Sequence, residues 1–95
     1  MTGCYILYSS LYDKFYIGVT QENPDIRLQK HNSKTYGSRY TSFTNDWEIF
    51  LFIECESYPQ AVNIERHIKS MKSRKYLYNL KTYPEMIQKL KDKYA

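Results

Sequence analysis

The sequence predicts an α+β domain: a small three-stranded antiparallel sheet flanked by helices, in the order β-β-α-β-α-α. Three observations carry this. Two short runs rich in Tyr, Ile, Val and Phe, GCYILY at 3–8 and KFYIGVT at 14–20, are joined by SSLYD, a turn-forming stretch. A third apolar run, DWEIFLFIEC at 46–55, reads as a strand and is expected to be central. Between and after these runs the chain carries helix-start signals at Asn23-Pro24, Ser57 and Pro84.

The elements follow in order. Side chains alternate across a strand, so hairpin register decides which residues meet. A turn centred between Ser10 and Leu11 would set Tyr5 opposite Tyr16 and Ile6 opposite Phe15. Cys4, Ile6, Tyr8, Phe15 and Ile17 then share an apolar face, while Tyr5, Tyr16 and Gly18 share the other. Gly18 would leave a gap beside Tyr16 that admits close approach. Asn23 is a good N-cap and Pro24 suits a first turn, predicting a helix from Pro24 to about Asn32. Residues 33–46 are polar, contain Gly37 and lack a hydrophobic period, as expected of a mobile loop. Ser57 and Gln60 have capping-box spacing, and Ala61, Ile64, Ile68 and Met71 form the apolar stripe of a second helix. RKYLYNL suits either a short helix or an extended segment. A last helix is expected from Pro84 to about Lys93, with Met86, Ile87 and Leu90 inward.

Composition narrows the function. Ninety-five residues suit one domain spanning 1–95 with a modest core of its own. Neither a membrane-spanning run nor a secretory signal is visible, so a cytoplasmic setting is expected. Cys4 and Cys55 lie in strand-like apolar runs and read as reduced, buried thiols. With His31 and His67 they make no zinc-ligand spacing. The net charge is +4, and Arg66–Lys75, RHIKSMKSRK, holds five Lys or Arg and no acid. Such a segment suits a polyanion or, equally, a solvated helix face. Eleven tyrosines interleaved with cations favour stacking on unpaired bases.

GCY at 3–5 followed by YIG at 16–18, RLQKHN at 27–32 and a helical Glu65 together resemble the GIY-YIG nucleases. Cys4 stands where the family has Ile, on the face away from Tyr5. The resemblance covers most of the chain. It is closest to the short stand-alone bacterial members related to the C subunit of the excision-repair nuclease, whose C-terminal half is similar to KSMKSRKYL. It implies a GIY-YIG-like fold and an endonuclease that hydrolyses DNA phosphodiester bonds with Mg²⁺ or Mn²⁺, in repair or recombination, leaving a 3′-hydroxyl and a 5′-phosphate.

The implied catalytic residues are Tyr5, Tyr16, Arg27, His31 and Glu65. Arg27 and His31 are four apart and point the same way on a helix. A guanidinium suits the charge that builds on phosphorus, and His31 suits a proton shuttle or a hydrogen bond to phosphate or tyrosine. Glu65 lies about 80° from the centre of the apolar stripe at roughly 100° per residue. Taken alone it reads as a surface residue paired with Lys69; the resemblance makes it the single metal ligand. No second acid sits at a metal-pairing position, which disfavours two metals. The resemblance gives one tyrosine the work of activating or orienting water, with Tyr16 as the positioned ring and Tyr5 nearest the nucleophile. Tyr8 and Tyr12 read as packing and turn residues.

Nucleic-acid contacts are expected from Gly18, Lys34, Arg39, Tyr40, Lys69, Lys72, Arg74 and Asn79, with Tyr36 and Lys75 beside them. DNA is the expected partner, with RNA as the other candidate substrate. A protein partner for targeting and a monomeric or homodimeric state are both compatible with the sequence. The rival reading is a nucleic-acid-binding or partner-docking module that keeps the nuclease fold without cleavage.

Overall fold

The structure, a computed structural model, describes residues 1–33 and 41–95. Its elements are β1 (Gly3–Ser9), β2 (Lys14–Thr20), α1 (Pro24–Asn32), β3 (Glu48–Glu54), α2 (Tyr58–Met71), α3 (Arg74–Thr82) and α4 (Pro84–Lys93). The strands form one antiparallel sheet in the order β2-β1-β3. The α+β class, the antiparallel sheet and the bounds of α1 and α4 agree with the sequence reading. RKYLYNL, left open by its pattern, is helical within α3; Ser73 caps it by accepting from the Tyr76 amide at 3.1 Å.

Two expectations about the sheet are corrected. The central strand is β1, and β3 is an edge. The apolar run of β3 suggested a centre, but β1 is the strand buried along almost its whole length, on both faces. Register is also shifted by two residues: Tyr5 pairs with Gly18, Ile6 with Ile17, and Leu7 with Tyr16. The cause is a longer turn, Ser10–Asp13. Asp13 adopts a left-handed φ of 53° there. Tyr8 Oη donates to its carboxylate at 2.7 Å, and Arg74 clamps it from α3. A shift of two preserves the faces, so Tyr5, Tyr16 and Gly18 still share one side. The expected gap beside Tyr16 is filled by the Tyr5 ring itself, which lies across Gly18.

The sheet separates two apolar clusters. On one face Cys4, Ile6 and Ile53 meet Ala61, Ile64 and Ile68 of α2, Leu77 and Leu80 of α3, and Leu90 of α4. On the other, Tyr5, Leu7 and Trp47 pack with Tyr16, Ile49, Phe52 and Leu28 of α1. Burial pushes both cysteine thiols up, and both are free, as expected of inert core thiols. Met71, assigned to the buried stripe, is exposed. It is the last residue of α2, where Lys72 turns left-handed at φ 47° and the chain leaves the core. Ser57 caps α2 as expected, accepting from the Gln60 amide at 3.2 Å. The Gln60 carboxamide reaches one residue further back than in a reciprocal capping box, to the Glu56 amide, and also bonds the Lys91 carbonyl.

Asp46 and Trp47, counted into the third strand from sequence, instead form its lead-in. Asp46 accepts from Ser9 Oγ at 2.6 Å, Thr44 Oγ1 at 2.6 Å and the Leu11 amide at 2.9 Å. These bonds hold its carboxyl down at about 2 and fasten the hairpin turn to the chain before β3. Trp47 is clamped by Asn32, which accepts from its amide at 2.8 Å and donates to its carbonyl at 2.9 Å. The end of α1 is thereby fixed against the sheet.

Candidate active site

The site grows from the face of the sheet covered by α1. The Tyr5 ring lies 6.2 Å from that of Tyr16, and both approach His31, at 5.8 and 5.0 Å between centroids. Tyr5 Oη and His31 Nε2 share a hydrogen bond of 2.9 Å. His31 Nδ1 meets Thr41 Oγ1 at 3.0 Å, and the Thr41 carbonyl accepts from the Trp47 indole at 3.0 Å. Arg27, one turn before His31, places its guanidinium 6.0 Å from the centre of the Tyr5 ring and contacts the Tyr5 hydroxyl. Four of the five sequence-predicted catalytic residues therefore converge.

Burial sorts their roles. Tyr5 is 1% exposed and His31 is 2% exposed, whereas Tyr16 keeps part of its ring open. Desolvation pushes the Tyr5 phenol up to about 12, against the opposing pull of Arg27. Desolvation, helped by the Arg27 charge, pushes His31 down to about 4. At neutral pH both are uncharged, so His31 serves as a hydrogen-bonding post rather than as a store of charge. This gives His31 a defined acid signature. Its folded-state value lies below the ordinary value near 6.5, so the unfolded chain binds a proton that the folded chain refuses. The stability contribution is complete above about pH 6.5 and falls as pH drops toward 4. Urea midpoints measured across that interval should decline less steeply for His31→Gln than for the parent. Parallel slopes would assign the decline to other groups.

Glu65 approaches from the opposite face. Its carboxylate lies near enough to Cys4 to add to the rise in that thiol, and Cys4 pairs with Val19 of β2. Tyr58, seven residues earlier on the same helix face, lines an open cleft of about 490 Å³ with Val19–Glu22, Arg27 and Lys30. Lys69, further along α2, and Lys72 just past its end line a second cleft with Phe15 and Ile17. α2 therefore runs antiparallel to β2, with Glu65 beside the middle of that edge strand. Arg27 and Glu65 flank the same open edge from its two faces. Glu65 is 17% exposed and pairs with Lys69 at 3.4 Å, as its i,i+4 spacing predicted. Among the described residues no three His, Cys, Asp or Glu side chains cluster. A single carboxylate beside an open cleft fits a hard cation held largely by water and substrate oxygens.

The remaining predicted contacts are dispersed. Lys69, Lys72, Arg74 and Asn79 lie on the helix side of the sheet, and Arg74 is engaged with Asp13 at 2.7 Å and stacked over Phe15. Gly18 is buried under Tyr5. Lys34, Tyr36, Arg39 and Tyr40, with half of the expected mobile loop, lie outside the described residues. Sequence reasoning missed Thr41, Glu22 and Lys30. Glu22 accepts from Lys30 at 2.9 Å and faces Arg27 at 3.7 Å, so it steadies the guanidinium. Lys30, three residues after Arg27, was legible from helical spacing; Thr41 sits in a polar stretch with no periodic signal.

Two tyrosines on adjacent strands, a histidine and an arginine on the helix that covers them, and a lone carboxylate across the edge strand make an arrangement suited to phosphodiester chemistry. The family model for the GIY-YIG catalytic domain matches residues 1–79, and the chain belongs to that family. Its members are endonucleases that act on DNA and generally use divalent metal ions. No curated protein and no solved structure matches the chain. Among the described residues, no helix is long and apolar enough to cross a membrane.

Proposed function

We propose that this chain is a Mg²⁺-dependent endonuclease that cuts one DNA strand by in-line attack of water, with a place in repair or recombination. The observation that carries the reading is the convergence of Tyr5, Tyr16, His31 and Arg27 beside the open edge of β2. Arg27, steadied by Glu22 and Tyr5, donates to the phosphate as its charge builds. Glu65 would hold the cation, which when bound polarises the phosphate and stabilises the leaving oxygen. The difference in burial supports a division of labour other than the one expected for the tyrosines. Tyr16, partly open, orients the attacking water through its hydroxyl, and the water gives up its proton to solvent on the open side. Tyr5, locked between His31 and Gly18, positions the guanidinium.

Supercoiled DNA incubated with the protein should be nicked in Mg²⁺ and left intact in chelator. RNA of the same length, run beside it, separates the two candidate substrates. Salt-sensitive binding without metal-dependent nicking would replace this reading with the binding-module one.

A further inference from the structure

The far end of the catalytic face carries a feature that cleavage does not use. Leu11 is 71% exposed, Tyr12 49% and Phe43 41%. Tyr12 and Phe43 meet edge to face at 5.0 Å, and Phe43 meets the buried Trp47 at 5.6 Å. Trp47 belongs to the apolar cluster holding Tyr5, Leu7 and Tyr16, so apolar packing is continuous from the site to the hairpin tip. The tip is also braced. Ser9 Oγ accepts from the Tyr12 amide at 3.3 Å, and Asp46 accepts from Ser9 and from the Leu11 amide. Large apolar side chains on a braced turn are presented at low entropic cost.

Charge accompanies the rings. Lys14 pairs with Ser9, and Leu7 with Tyr16, so register puts the exposed Lys14 on the site face between Tyr16 and the tip. The two carboxylates nearby are engaged internally, Asp13 by Arg74 and Tyr8 and Asp46 by its three donors. On the hairpin Tyr12 and Leu11 lie four and five residues from Tyr16, at most about 13–17 Å at strand rise. That distance spans roughly four to five nucleotides at ~3.4 Å each.

We infer that Leu11, Tyr12 and Phe43 form a stacking platform for an unpaired base of the strand being cut, with Lys14 holding an intervening phosphate. Every base has a face that stacks on an aromatic ring, so the platform selects for unpaired bases without selecting sequence. It would direct the nuclease to branched or distorted DNA. The inference rests on the nuclease reading for the identity of its polyanion, but its test needs no cleavage.

A splayed-arm DNA duplex carrying 2-aminopurine at an unpaired position near the fork is titrated with protein in chelator. Stacking on a ring should quench the probe. The Tyr12→Ala/Phe43→Ala double variant should lose most of the quenching and bind the splayed duplex about tenfold more weakly. Its affinity for a fully paired duplex of equal length should change less than about twofold. Tyr12→Ser alone, at an exposed position, should move both readouts the same way if the double variant folds poorly. Undiminished quenching in the variants overturns the platform, as does an equal loss of affinity for both duplexes. Nicking by the parent without quenching would overturn it while leaving the nuclease reading in place.

Discussion

Arg27→Ala and Glu65→Ala should each lower the rate of DNA nicking by about a hundredfold or more, the loss expected when one stabiliser of developing charge is removed. The two act from opposite faces of β2, so their losses should differ in kind. Arg27 touches the Tyr5 hydroxyl and faces Glu22, and its planar fork can serve these and a phosphate together. Arg27→Lys keeps the charge without the fork and should recover little of the rate. Its deficit should persist at saturating Mg²⁺. Glu65→Gln keeps the volume and loses the charge, so its deficit should shrink as Mg²⁺ is raised. Glu65 is itself largely buried and its described ion pair is the i,i+4 pair with the half-exposed Lys69, so folding is checked separately for its variants. Urea midpoints close to the parent's would confirm that the variants are folded. If both alanine variants nick as fast as the parent, the observed activity belongs to a contaminant.

The bounds of α1 and α4 were legible because their start signals are local chemistry. Asn23 accepts from the Asp25 amide at 2.8 Å, and prolines open α1 and α4 at the positions their fixed φ suits. The composition of each sheet face was legible for a similar reason. Alternation has a period of two, and a register shifted by two residues leaves it unchanged. Pairing itself was not legible, because the Ser10–Asp13 turn is held by Tyr8, Arg74 and Asp46. Two of these lie more than thirty residues away. The order of the strands was hidden by composition, since the run in β3 is as apolar as that in β1. What distinguishes β1 is burial on both faces, which depends on helices placed elsewhere in the chain.

In the candidate site, which of the named residues would meet was partly legible, and their environments were not. Arg27 and His31 share a helix face by spacing alone. That His31 is buried between Tyr5 and Thr41, and hence neutral, follows from the path of the chain around 41–47. Tyr5 and Tyr16 look alike in the sequence. Only the packing of α1 and Trp47 over Tyr5 makes one of them a support and leaves the other partly open.

Gly18→Ala should damage both stability and nicking, and it tests the geometry of that support directly. A Cβ built at Gly18 would stand 2.6 Å from both Cζ and Oη of Tyr5, and 3.0 Å from Cε1. No left-handed backbone is involved, so the cost is steric. The ring has little room to yield, because it is buried, bonded through its hydroxyl to His31 and faced by Tyr16. Overpacking of this kind costs about 1–3 kcal/mol. For a domain of this size that is a fall in melting temperature of roughly 4–8 °C per kcal/mol. Nicking should fall further than the loss of folded protein explains, because a displaced Tyr5 moves the guanidinium it positions. A Tyr5→Leu background separates the two effects. Leucine ends short of the atoms that would clash, so Gly18→Ala should cost markedly less stability there than in the parent, a non-additivity that residues in contact show and distant ones do not. Equal costs in the two backgrounds would mean that the Tyr5 ring does not lie across Gly18.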